Sequence, residues 1–116
     1  MERNLYGEEI RNSKQFSDIF KIVKKSVFDM LGRRRSGLML YLSDLPLNVG
    51  AYHGFGSNTI VLNRMLLKIV EGNTRSREEL NSYVYVILLH EYLHSLGYLN
   101  EAEVRRLTYL ISMETF

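Results

Sequence analysis

The segment from Ser76 to Gly97 constrains this chain more than any other. It opens with Ser76 and Glu79 at the S-x-x-E spacing of a capping box, where each side chain satisfies an orphan backbone donor at a helix start. It continues through Tyr83, Val84, Val86, Ile87, Leu88 and Leu89 and stops at Gly97. A helix that is apolar nearly all round has no face to give to water, so it belongs at the centre of a domain. With 116 residues, the chain can build one core around that helix but not two. A content of 46% hydrophobic and 24% charged residues is the balance of a soluble globular protein.

The remaining segments supply what packs around it. From Ser13 to Leu31, apolar residues at Phe16, Ile19, Phe20, Val23, Val27, Met30 and Leu31 recur at helical spacing, and Gly32 suits a left-handed helix end. Short apolar runs bounded by turn-formers predict strands at Gly37–Ser43, Asn48–His53 and Asn58–Leu62. Asn63 reads as the N-cap of a short helix from Arg64 to Val70, and Asn100 as the cap of a last helix with the stripe Val104, Leu107, Leu110 and Ile111. The expectation is a single small α+β domain over residues 13–116, about four helices with a small mixed sheet of about three strands. Residues 1–12, rich in Asn, Glu and Arg, read as an extended or mobile N-terminal arm.

The central helix carries chemistry at its end. His90-Glu91-Tyr92-Leu93-His94 is an H-E-x-x-H motif. Histidines four residues apart stand one above the other on a helix, so both imidazoles can address one metal ion. Glu91 beside them suits a general base acting on water, the arrangement of a zinc peptidase. The chain has three histidines and no cysteine, so one zinc per chain would rest on His and carboxylate donors, without a thiolate site or a disulfide framework.

A catalytic zinc normally takes three protein ligands and keeps one position open. Downstream of the motif the candidates are Glu101 and Glu103. Taking about 100° per residue, Glu103 lies roughly 60° from the stripe of the last helix, and Glu101 roughly 100° on the other side. Glu103 is the expected ligand. If Glu103 instead serves the Asn100 cap, Glu101 takes its place.

Two histidines, a glutamate and a downstream glutamate ligand resemble the gluzincin metallopeptidases. Eight residues between His94 and Glu103 make the pattern similar to the minigluzincins, small soluble archaeal relatives of the catalytic domains of integral-membrane metallopeptidases. The resemblance implies a sheet whose edge strand lines a cleft above the motif helix and receives a peptide by strand addition. It also implies a latent or zymogenic form, with the N-terminal arm or the tail Glu114-Thr115-Phe116 blocking the cleft. The metzincin motif would place a third histidine where this chain has Asn100, a poor zinc ligand.

The function expected is metal-assisted hydrolysis of peptide bonds, with zinc on His90, His94 and Glu103, and Glu91 moving the proton. His53, Tyr52 and Tyr109 are candidates for stabilising the oxyanion. The competing expectation is an inactive or latent zinc protein acting as a partner-binding module. A net charge of +2 does not by itself imply a nucleic-acid partner, although Arg33-Arg34-Arg35 could meet an acidic one; a solvated helix end is the plainer reading. No stretch is long and apolar enough for a bilayer span, and Met1 to Asn4 lacks the apolar core of a signal peptide. A cytoplasmic protein is the expectation.

Overall fold

The computed structural model describes residues 4–54 and 56–116. In chain order the elements are α1 (Asn4–Asn12), α2 (Phe16–Leu31), β1 (Met39–Ser43), β2 (Ala51–Tyr52), β3 (Thr59–Asn63), α3 (Arg64–Asn73), α4 (Arg77–Ser95) and α5 (Glu101–Thr115). The α+β expectation holds, with five helices among the described residues and a three-stranded mixed sheet.

Helix α4 is the centre. Leu80, Val84, Tyr85, Leu88, Leu89, Tyr92 and Leu93 are all buried, and α1, α2, α3, α5, β2 and β3 pack against it. The Ser76 half of the expected capping box is formed, Ser76 Oγ accepting from the Glu79 N–H at 3.2 Å. The polar side chains it carries into the core are matched. Asn81 Nδ2 donates to the carbonyls of Ile10 and Ser13 at 2.9 and 2.8 Å, and the Tyr85 hydroxyl meets Ser26 at 2.7 Å and Thr115 at 3.0 Å.

The N-terminal segment departs from expectation. Residues 4–12 form a helix that packs on α2, α4 and α5, and Ile10 is fully buried. Gly7 permits this closeness, since a Cβ there would stand 3.0 Å from the Thr115 carbonyl oxygen. Ser13 therefore closes the end of α1, its hydroxyl donating to the Glu9 carbonyl, and α2 begins at Phe16. Helix α2 ends as predicted at Gly32, with φ 67°.

The sheet runs β1-β3-β2, with β1 parallel and β2 antiparallel to β3, pairing Tyr41 with Val61 and Val61 with Tyr52. Ile60 and Leu62 point into the core, while Met39, Tyr41 and Tyr52 stay exposed. The strand expected over Asn48–His53 shrinks to two residues because Asn63 competes for the preceding loop. The Asn63 side chain is fully buried; its oxygen caps α3 by accepting from Met65 and Leu66, and also accepts from the Leu45 N–H. Its Nδ2 donates to the carbonyls of Leu45, Pro46 and Val49. Backbone groups bonded to Asn63 are not available to a ladder.

Candidate metal centre

The last two turns of α4 present His90 and His94 on one side, half-buried, their rings 5.0 Å apart. The helix then reverses. The Gly97 N–H donates to the His94 carbonyl, the Tyr98 N–H to the Leu93 carbonyl, and Gly97 takes φ 105°, a conformation side chains resist. Asn100 caps α5 by accepting from the Glu103 N–H at 3.0 Å. This turn is so tight that the first residue of α5, Glu101, lies directly against the histidines.

Glu101 spans both rings. Its Oε2 is 3.0 Å from His90 Nε2 and its Oε1 is 2.9 Å from His94 Nε2. His90, His94 and Glu101 together form a group that could hold a metal ion. The third ligand expected at Glu103 is corrected accordingly: Glu103 pairs with Arg106 through two hydrogen bonds of 3.0 and 2.8 Å. The reason lies in where the site sits. The stripe of Val104, Leu107 and Ile111 points to the core, but the imidazoles stand at the rim of α4, and the rim-facing residue of α5 is the one well off that stripe. Glu101 accordingly keeps 46% side-chain exposure.

The electrostatics follow from burial and proximity. Burial pulls the Glu101 carboxyl upwards, but hydrogen bonds and charge from His94 and His90 outweigh it and leave the group below its ordinary value. Arg105 adds a contact to Oε2 at 3.2 Å. Glu91, half-buried beside the cluster, is pushed up to about 7, chiefly by burial and also by the charge of Glu101, against an opposing pull from His94. The Glu103 carboxyl is held low by its Arg106 hydrogen bonds.

The donor set fits a metal. His94 Nδ1 lies 2.8 Å from the Tyr98 carbonyl, which can only accept, so Nδ1 carries a proton and Nε2 is the nitrogen left to face Glu101. A lone pair and a carboxylate facing each other at 2.9 Å need a cation between them, a proton or a metal. Donors about 2.0–2.1 Å from a tetrahedral zinc lie roughly 3.3 Å apart, a few tenths of an ångström wider than these contacts. The side chains need only a small spread to admit the ion.

The arginine run supports the C-terminal end of α4. Arg33 Nη2 donates to the Leu96 carbonyl at 2.7 Å, and Arg35 Nη1 to the Ser95 carbonyl at 3.0 Å. Both cations thus meet the negative end of α4 and satisfy its terminal acceptors. Arg35 Nη2 reaches the Ser57 carbonyl at 2.7 Å, and its backbone N–H donates to the Tyr92 hydroxyl. Charge alone did not mark these partners in the sequence, since the carbonyls lie about 60 residues downstream.

The other candidates are not brought to the cluster. His53 Nε2 donates to the Ser57 carbonyl at 3.0 Å within its own loop. Tyr109 is 64% exposed and lies about 12 Å further along α5 than Glu101, at 1.5 Å per residue. Tyr52 is exposed at the sheet edge. Nor do the described termini cover the site: Thr115 and Phe116 pack against Tyr85, which points to the opposite side of α4 from His94, and α1 meets α4 near Asn81. No helix among the described residues is long and apolar enough to cross a membrane. Comparison with family models, curated proteins and solved structures finds no match for this chain.

Proposed function

We propose that this chain is a minimal zinc-dependent metallopeptidase, with His90, His94 and Glu101 as ligands and Glu91 as general base. The observation that carries the reading is the Glu101 carboxylate bridging two imidazole nitrogens at 2.9 and 3.0 Å beside a half-buried glutamate. Two nitrogens and one carboxylate are a catalytic zinc donor set that leaves a position for water or substrate. Bound there, zinc supplies Lewis acidity that polarises a carbonyl and makes water more acidic.

The chain's own groups do the rest. Glu91 accepts a proton from the attacking water and returns it to the departing amine. The Tyr98 carbonyl holds the His94 ring in the tautomer that presents Nε2. The antiparallel edge strand β2 supplies backbone groups for an extended peptide, and Gly50 brings that edge against Ile87, one turn before Glu91. The likeness to minigluzincins is in the donor types; Glu101 shortens the interval after His94 from eight intervening residues to six.

The test pairs metal analysis with cleavage of a peptide library read by mass spectrometry. One zinc per chain, lost in His94→Ala, together with cleavage lost in Glu91→Gln, supports the proposal. Zinc retained in the wild type with no peptide cut makes the chain a metal-binding interaction module instead. Failure to retain zinc under metal-replete conditions sinks both.

A further inference from the structure

On the far side of α4 from the histidines lies a cleft of about 580 Å³, lined by Tyr6, Lys24, Phe28, Arg34, Gly37 and Tyr92 among others. Tyr92 is two residues from each histidine, which sets it about 160° round the helix from both. The volume is that of a small-molecule site. Its charge is positive and pre-arranged. The Lys24 ammonium sits 4.5 Å from the centre of the Phe20 ring, and the Arg34 guanidinium lies 5.5 Å from the centre of the Phe28 ring. Each cation is therefore held over an aromatic face, and no described carboxylate pairs with either. The cleft's acidic member, Asp29, is already engaged, accepting from the Tyr6 hydroxyl at 2.5 Å. Burial and the neighbouring Lys21 both disfavour the charge on Lys24, so a bound anion would relieve it. At the cleft wall the Ser36 and Gly37 backbone N–H groups donate to no described residue, and Gly37 turns the chain there with φ 77°.

We propose that this cleft binds an organic phosphate, the phosphate held by Lys24, Arg34 and the Ser36–Gly37 backbone, its apolar part lying along the exposed Phe28. Cations held over rings, N–H groups without an acceptor among the described residues and an exposed aromatic wall in one concavity match a phosphomonoester with a flat apolar body. The same phosphate chemistry occurs on a soluble metabolite and on a phosphatidate headgroup. The inference is independent of the metal centre.

Amide NMR titration with phenyl phosphate at constant ionic strength tests it. Saturable shifts at Ser36 and Gly37, weakened about tenfold or more in Lys24→Gln/Arg34→Gln, are expected, since a charge-assisted hydrogen bond carries that much affinity. Lys24→Gln alone serves if the double variant does not fold, and Lys14→Gln, outside the cleft, should bind as the wild type does. Co-sedimentation with phosphatidylcholine vesicles, with and without phosphatidic acid, separates the sources. Sedimentation that requires phosphatidic acid and is lost in the variant assigns the headgroup; phenyl phosphate binding without sedimentation assigns a soluble ester. Shifts that do not saturate, or that persist unchanged in the variants, together with no specific sedimentation, overturn the proposal.

Discussion

The two sides of α4 treat polar groups in opposite ways. Asn81, Tyr85 and Tyr92 lie about 140–180° around the axis from His94, all fully buried, and each is matched to a fixed partner. These are neutral groups, only Asn81 also meeting a charge, at Arg77, and their geometry specifies how α1, α2 and the tail of α5 dock. On the other side His90, Glu91 and His94 are half-buried and titratable, and they face another titratable group, Glu101. One side selects a fold; the other leaves a place whose contents can change by a proton or a cation.

Substitutions on each side break or sharpen that contrast. The largest effect belongs to Glu91→Gln, which should lower peptide cleavage by about 10³-fold while zinc stays bound, since general-base catalysis is worth roughly 10²–10⁴. Full activity in that variant would remove Glu91 from the chemistry. Next, Glu101→Ala should weaken zinc binding by at least about a hundredfold, whereas Glu103→Ala should change it by no more than a few-fold. Competition with a chromogenic chelator reads both, and the reverse order would restore Glu103 as the ligand.

On the matched side, Asn81→Ala should cost about 2–4 kcal/mol in urea unfolding, because the Ile10 and Ser13 carbonyls lose their donor inside the core. A cost under about 0.5 kcal/mol would mean that α1 docks without it. The smallest effect is a pH dependence of the metal-free protein. Glu91 in the native state holds its proton up to about 7, against 4.5 for an ordinary glutamate. The native state therefore binds more protons between those values, and stability from this group is full at low pH and falls as pH rises through 7. Allowing for partial solvent screening, the loss is on the order of 1–2 kcal/mol. The stability difference between wild type and Glu91→Gln should change by that amount across the window; a constant difference would show an ordinary carboxyl.

Much of this was legible where a local rule operates. Ser76, Asn63 and Asn100 cap the helices they were expected to cap, and Gly32 ends α2. Local rules fail where the partner is distant. Helix α1 has no legible pattern because its polar composition hides one decisive residue, Ile10, and a glycine whose value is a contact with Thr115. The Asn63 side chain reorganises residues 45–49 in a way no strand pattern records. At the site, the motif is plain, but the periodicity of α5 points to Glu103, the residue nearer its core-facing stripe. The imidazoles stand at the rim, so the residue facing away from that stripe reaches them. Sequence periodicity reports which way the core lies, not which way the chemistry faces.

Helix α5 is fastened to α4 at both ends: Glu101 meets the histidines, and Thr115, about 21 Å further along at 1.5 Å per residue, meets Tyr85. It works as a hasp, and closing either end lowers the entropy lost in closing the other. An ion taken up at the front thus grips the back of the molecule too, so zinc should protect the α5 tail from proteolysis. Loosening the tail at Thr115, far from any ligand, should weaken the hold on the ion.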